Sequence, residues 1–335
     1  MNPALSICIP NYQGEEVIAR CLDSVLSQEC DFSFELIVHD DASTDRSLEI
    51  LESQYPSVVL IKSDTNRGFC ESTNRMAEQA RGDYLLLLNN DTRLHAGSLQ
   101  ALMDEAKRSP DTGVLSLPQY DMTTGELLDR GMFLDLFVNP IPTLEKKDEV
   151  AFVMGSCLWL RRELWQEVGG FPSWFGSLAE DAYLCARVRL LGLKVRVIET
   201  GAYDHVVGHA FGGGKVKSNR LATSYTRRRL TELNKNRVIA TCFPGPAAPL
   251  ILGLQFALLL LEGCAISLLK GSIRPLRDIY LPSIGGILGD LPRLARERSR
   301  AMSARRCGTG EFYKTIRFRH HKLTLLRRHG IPRIS

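Results

Sequence analysis

Across 335 residues no two cysteines stand as Cys-x-x-Cys, and the nine present (Cys8, Cys21, Cys30, Cys70, Cys157, Cys185, Cys242, Cys264 and Cys307) are an odd number. That count and spacing argue against a disulfide framework and against a cysteine zinc site, leaving the thiols as small apolar fillers. The start, Met-Asn-Pro-Ala-Leu-Ser-Ile-Cys, lacks a basic n-region followed by a long apolar h-region. No secretory signal is therefore expected, and the globular part is expected in the cytoplasm. Internal repeats and low-complexity tracts are also missing. Aromatic residues make up only 7% of the chain, and its basic end carries no recognition motif, which sets nucleic acid aside as a partner.

What is present is apolar material, 44% of residues against 24% charged, enough to bury a sizeable core in one large domain with an appendage. The net charge of +4 conceals an asymmetry. Residues 270–335 hold 16 Lys+Arg against 4 Asp+Glu, net +12, while residues 1–269 hold 26 against 34, net −8. A basic segment beside an apolar run suits an anionic surface such as a bilayer.

Short β-rich apolar runs alternate with segments of helical period, the pattern of an α/β fold with a mostly parallel central sheet and crossover helices. Strands are predicted at Leu5–Ile9, Phe34–His39, Val58–Lys62, Asp83–Asn89, Val114–Leu117 and Lys194–Ile198. Helices are predicted at Glu15–Leu26, Asp45–Gln54, Phe69–Gln79, Leu99–Ser109, Arg161–Val168 and Glu180–Leu190. Polar residues gather where strands end: Asn11 and Tyr12 after the first, Asp40 and Asp41 after the second, Asn89-Asn90-Asp91 after the fourth. Ligands of open α/β sheets bind outside the carboxyl ends of strands, so these three ends point at one crevice.

Asp40-Asp41-Ala42-Ser43-Thr44-Asp45 closes a strand with two carboxylates and opens a helix. Capping by Ser43 or Thr44 explains the later residues. It does not explain two adjacent carboxylates, which repel unless a donor such as the imide N–H of uracil or thymine is recruited between them. Asn66-Arg67-Gly68-Phe69 sets a glycine turn just before a helix, and alone it reads as a loop. Asn89-Asn90-Asp91 offers oxygen ligands suited to Mg²⁺ or Mn²⁺ bridging two phosphates, and alone it reads as a turn.

In order and spacing these elements resemble the family-two glycosyltransferases of the GT-A fold, over roughly residues 4–240. Ser6-Ile7-Cys8-Ile9-Pro10-Asn11-Tyr12 is similar to that family's first strand and loop, and Leu22–Gln28 to its first helix. Asp40–Asp45 resembles its Asp-Asp-Gly-Ser-x-Asp box, Asn66–Asn74 its Asn-x-Gly-Phe-x-x-x-x-Asn box, and Asn89-Asn90-Asp91 its Asp-x-Asp metal motif. The resemblance implies inverting transfer from a nucleotide-diphosphate sugar. The donor would lie on Pro10, Asn11, Tyr12, Asp40, Asp41, Asn66, Gly68, Asn74 and Asn90, with a divalent metal (Mn²⁺ or Mg²⁺) at Asp91 and His205.

Gly155-Ser156-Cys157-Leu158-Trp159-Leu160-Arg161-Arg162, Val168-Gly169-Gly170-Phe171 and Glu180-Asp181 are similar to the family's acceptor-side signature. Its catalytic base maps to Asp181 with Glu180 beside it. An adjacent carboxylate and partial burial lift such a base towards neutrality. His205, in Tyr203-Asp204-His205, resembles the histidine that reaches the metal, and His209 is close enough in sequence to compete. Arg227-Arg228-Arg229 stand near the end of the resemblance, where a basic group can meet a diphosphate. A solvated face is the better reading for most of that run.

Three positions depart from the family pattern: Ala42 replaces a glycine, Asn89 an aspartate, and Tyr183 stands where many members carry a further aspartate. The Asn-Asn-Asp form occurs especially in rhamnosyltransferase-like members. The resemblance thus points towards dTDP-rhamnose as donor and a hydroxyl of a glycan or lipid-linked acceptor in surface polysaccharide synthesis. The rivals are a glycosidase with paired carboxylates and a membrane-associated nucleotide-sugar-binding protein without turnover. A pyrophosphorylase is disfavoured because its Gly-rich start with Arg and Lys is missing after the first strand.

The expected domains are residues 1–240 (1–117 the donor-nucleotide half, 118–240 the acceptor half) and a helical tail, 241–335, with Pro244, Pro246 and Pro249 at the boundary. No charge falls between Val238 and Leu261. Ala247–Leu261 supplies fifteen residues before Glu262, and extension to Leu269 gives 23, against about twenty for a span. That extension carries Gln255 and Glu262, seven residues apart on one helical face. A carboxylate near the membrane middle costs about 2.5 kcal/mol or more. The expectation is a peripheral or monotopic helix at the inner face of the membrane, with the arginines from Arg293 to Arg306 on anionic headgroups. A spanning helix is the alternative.

Overall fold

The computed structural model describes residues 2–206, 216–217, 220–330 and 333–334. The chain runs β1 (Leu5–Asn11), α1 (Ile18–Leu26), β2 (Phe34–Asp40), α2 (Ser47–Gln54), β3 (Val59–Lys62), α3 (Phe69–Gln79), β4 (Tyr84–Leu88) and β5 (Thr92–Leu94). It continues through α4 (Ser98–Arg108), β6 (Thr112–Ser116), β7 (Gln119–Asp121), β8 (Leu127–Asp129), β9 (Met132–Asp135), β10 (Pro140–Pro142), β11 (Cys157–Arg161), α5 (Arg162–Val168), α6 (Glu180–Leu190), β12 (Lys194–Val197) and β13 (Tyr203–His205). After β14 (Val216–Lys217) and β15 (Arg220–Thr223) come α7 (Tyr225–Cys242), α8 (Ala247–Lys270), α9 (Leu281–Gly289), α10 (Leu291–Ser303), α11 (Thr309–Tyr313), β16 (Ile316–Arg317), α12 (His321–His329) and β17 (Arg333–Ile334).

Seven strands form the central sheet in the order β12-β6-β11-β4-β1-β2-β3. Strand β11 is antiparallel to both β4 and β6, and the other pairings are parallel. Both faces of the sheet are covered, which is why β4 reads as an unbroken Leu85–Leu88 run rather than an alternation. Ile7, Ile9, Leu86, Leu88 and Trp159 pack with Leu22, Val25, Leu99 and Leu102 of the flanking helices, each contributing about 1.5–3 kcal/mol on full burial. A smaller sheet, β5-β13-β7-β8, holds β13 antiparallel to β5 and parallel to β7.

The chain groups into two compact units, residues 1–132, 142–188 and 193–206 in one, and 133–141, 189–192 and 207–335 in the other. Helix α7 buries Val238, Ile239 and Cys242 and packs with α8, α9 and α10, so it belongs with the helices that follow it. All nine cysteines are free.

Within the second unit α7 lines a buried ion cluster. Lys235 Nζ donates to Glu232 (2.9 Å) and to Asn139 Oδ1 (2.7 Å), and Lys322 Nζ lies 2.7 Å from Glu232 and 2.9 Å from Glu262. The Arg228 guanidinium donates to Glu262, which corrects its expected place on a solvated face or a diphosphate; Arg229 next to it is exposed. The 24 residues of α8, mean hydropathy 2.0, make the one helix among the described residues long and apolar enough to cross a membrane. Gln255 is buried and Glu262 is tied to α7 and α12, whereas Leu250, Leu254, Leu261 and Leu268 are exposed.

Candidate functional site

The carboxyl ends of β1, β2 and β4 are joined through one side chain. Asn11 Nδ2 donates to Asp40 Oδ1 (2.8 Å) and Ser47 Oγ (3.0 Å), and Asn11 Oδ1 accepts from Asn90 Nδ2 (2.8 Å). Gly14 lies against this bridge: a Cβ there would collide with Asn11 Oδ1 and come within 2.5 Å of Asn90 Nδ2. Pro10 is half-buried in β1, and Tyr12, just beyond the strand, is 50% exposed, leaving its ring open for stacking. Asp40 Oδ2 accepts from the Ser43 N–H (3.0 Å). The next loop is clamped by Gln13, whose Oε1 accepts from Thr44 N and Asp45 N. Ala42 sits in this loop at φ +64, the left-handed region that a glycine occupies without strain.

Asp41 turns away from Asp40 and binds the loop before α3, its two oxygens accepting from Arg67 N (2.7 Å) and Gly68 N (2.8 Å). The paired carboxylates thus avoid repulsion by taking different donors. Asn66 is exposed at the start of that loop. Asn74, expected on the donor, has its amide on a backbone instead: Nδ2 donates to Phe171 O (2.8 Å) and Oδ1 accepts from Phe171 N (3.0 Å). It ties α3 to the Gly169-Gly170-Phe171 turn.

Strand β13 aligns His205 opposite Thr92, one residue beyond Asp91. His205 Nε2 lies 3.2 Å from Asp91 Oδ1, yet Asp91 Oδ1 and His205 Nδ1 are buried with no hydrogen-bond partner. The pair brings together a carboxylate oxygen and an imidazole nitrogen, the ligand types that a divalent cation takes. Among the described residues no three His, Cys, Asp or Glu side chains gather as a metal cage, so a cation here would complete its shell with substrate or water oxygens. His209 lies outside the described residues. The Asn89 Oδ1 is buried, where the amide avoids placing a second anion beside Asp91.

Glu180 and Asp181 open α6, and both are buried. Asp181 Oδ1 accepts from Ala182 N (2.7 Å) and Oδ2 from Gly155 N (3.3 Å). Burial pushes the Asp181 carboxyl up to about 6 despite these N–H bonds, the range of a working general base. Tyr183 packs edge-on against Phe175, 5.4 Å between ring centroids.

Sequence reasoning passed over Gly14, Gln13 and Asp129. The first two directly follow the Asn11-Tyr12 signal. Asp129, at the end of β8, accepts from Gly131 N (2.9 Å); burial pushes it up to about 6, against the pull of His205. No motif marks it, since a single aspartate in a turn-rich stretch carries no spacing signal.

Residues 6–169 match the family model Glycosyl transferase family 2. The chain is 29% identical over 213 residues to the poly(ribitol-phosphate) beta-glucosyltransferase of Bacillus spizizenii, covering 61% of this chain but only 32% of that relative's length. It resembles S. aureus TarS 1-349, solved with UDP-GlcNAc, at a TM-score of 0.54 and 20% identity, over 95% of this chain and 93% of that one. It also resembles the mannosyltransferase PcManGT of Pyrobaculum calidifontis, solved with GDP-Man and Mn²⁺, at 0.50 and 17%, over 91% and 86%. At these identities the two structures speak for the fold. The family match covers the sheet and its strand-end motifs, the two structures give the GT-A fold, and the findings support a family-two glycosyltransferase.

Proposed function

We propose that this chain is an inverting glycosyltransferase that moves a sugar from a nucleotide-diphosphate sugar to a hydroxyl in surface polysaccharide synthesis. The observation that carries this reading is the Asp91–His205 pair beside the Asn90–Asn11–Asp40 bridge, in the same unit as a buried carboxyl tuned to about 6 at Asp181. Asp40, Tyr12 and the Arg67–Gly68 loop hold the nucleotide, and Asn90 and Asn11 orient its sugar-bearing side. Asp181 takes the proton of the acceptor hydroxyl as that oxygen bonds to the anomeric carbon; the bond from that carbon to the diphosphate oxygen breaks, and the configuration inverts. A Mn²⁺ or Mg²⁺ held by Asp91 and His205 would neutralise charge on the leaving diphosphate.

The finer assignments are dTDP-rhamnose as donor, supported by the Asn-Asn-Asp form alone, and a glycan or lipid-linked acceptor at the inner face of the membrane. The membrane assignment draws on the exposed leucines of α8 and the +12 charge of residues 270–335. The test is a thermal-shift screen of UDP-, dTDP- and GDP-sugars with Mn²⁺, followed by assay of nucleoside diphosphate release with acceptor. A donor at a hundred times its Kd adds about 2.7 kcal/mol of stability. Binding without release would leave a carrier of nucleotide sugars, and sugar hydrolysis independent of nucleotide and metal would make the chain a glycosidase.

A further inference from the structure

Three consecutive features link the donor loop to the base. The Gly176 carbonyl accepts from Cys70 N (3.0 Å) and packs so closely on the loop that a Cβ at Gly68 would lie 3.2 Å from it. Arg67 and Gly68 of that loop are the residues whose N–H groups Asp41 holds. Two residues past Gly176, Leu178 (φ +73) and Ala179 (φ +65) both adopt the left-handed conformation, and Glu180 and Asp181 follow at once.

Two successive L-residues in that region persist only where the surroundings over-determine them. The surroundings here are visible. Upstream, Gly176 is fixed on the donor loop and Phe175 is buried against Tyr183. Downstream, Tyr183 N donates to Ala179 O (3.0 Å), and Asp181 is held by Gly155 N and Ala182 N. The segment spans two fixed points in a conformation that L-residues rarely adopt.

We infer that Gly176–Ala179 is a strained connector that positions Asp181 according to the state of the donor loop, so that the base is set for the acceptor once the nucleotide seats residues 66–70. Leu178 and Ala179 are positioning residues that act through Asp181. The inference rests on the proposed donor site.

Hydrogen exchange is measured on the full chain with Mn²⁺ and each of UDP, dTDP and GDP, and the nucleotide giving most protection at residues 66–70 is carried forward. Protection should extend to residues 176–181. Protection confined to 66–70 overturns the connector while leaving the nucleotide site standing; protection at neither segment removes both. The variant Ala179→Gly relieves the strain by deleting a single methyl. It should keep donor KM within twofold, lower kcat at least tenfold, and lose the donor-dependent protection of 176–181. Wild-type kcat in Ala179→Gly overturns the proposal, as does a fall in kcat with the coupled protection intact, because that marks a merely structural defect.

Discussion

His205 Nε2 stands 3.2 Å from Asp91 Oδ1 without hydrogen-bonding it, and that gap is set by a strand pairing in which β13 lays His205 opposite Thr92. Two residues 114 positions apart in sequence are thereby brought to one point. Neither alone is a metal site, and their convergence gives the first prediction.

Asp91→Ala removes the only carboxylate of the pair and should abolish Mn²⁺-dependent donor binding. His205→Ala should weaken it in the same direction, by at least about tenfold, since even the outer-shell partners of a metal ligand cost about 10–100-fold when removed. Isothermal titration of the best donor with and without Mn²⁺ reads both. Unchanged metal dependence in Asp91→Ala would show that the cation, if used, binds elsewhere.

Asp181→Asn should lower transfer about a hundredfold or more while leaving donor affinity nearly unchanged. In the wild type, kcat/KM should rise with pH to a plateau above about 6, because the base works deprotonated. Stability runs the other way. The folded-state pKa is raised above the unfolded value of about 3.9, so the native state binds the extra proton and stability falls as pH rises from about 4 to about 6, by no more than about 3 kcal/mol from this group. The Asn variant should lack this loss, gaining on the wild type across that window in denaturant titrations. A variant with the wild-type stability profile would mean that Asp181 titrates normally.

Much of the sheet in the first half of the chain was legible because its grammar is local. Apolar runs at Leu5–Ile9 and Leu85–Leu88 end in Asn11 and Asn89-Asn90-Asp91, and parallel strands of one sheet must end on one side. What escaped was built from non-local pairing. Strand β11 breaks the βα alternation by running antiparallel between β4 and β6, and β5 and β13 are three residues each, too short for any period. Asn74 and Arg228 sit in runs that look polar and exposed, and only packing shows that their partners are Phe171 and Glu262.

Gly14→Ala should loosen the bridge between strand ends. The added Cβ displaces either Asn11 or Asn90, and loss of one such hydrogen bond is worth about 0.5–1.5 kcal/mol, or about 2–12-fold in donor affinity. Fluorescence titration of donor should show the drop. Equal affinity would mean that the Asn11–Asn90 contact does not shape the donor site.

Ala42→Gly tests the departure in the Asp40–Asp45 loop. At φ +64 an alanine is strained by about 1–2 kcal/mol, while glycine adds about 0.4–1 kcal/mol of unfolded-state entropy to be overcome. The net expectation is a gain of up to about 1.5 kcal/mol, visible as a rise of up to about 2 °C in Tm. A fall in Tm would mean that the methyl makes a contact worth more than the strain.

The tail yields a prediction that separates an in-plane helix from a spanning one. Helix α8 would have to carry Glu262 into hydrocarbon to span, breaking its links to Arg228 and Lys322 at a cost beyond the roughly 2.5 kcal/mol for the carboxylate itself. Lying in the plane it keeps them and presents Leu261 and Leu268, 67% and 82% exposed. Leu261→Glu with Leu268→Glu should therefore leave the fold intact and remove apolar burial of about 1.5–3 kcal/mol per side chain, weakening binding to vesicles containing an anionic phosphoglyceride at least a hundredfold. Wild-type binding should fall with salt, since each nearby arginine adds about 1 kcal/mol only at low ionic strength, but should not vanish, because the leucines remain. A C-terminal tag reached by protease from outside intact cells would sink the in-plane reading, and wild-type protein left wholly in the supernatant at low salt would sink membrane attachment itself.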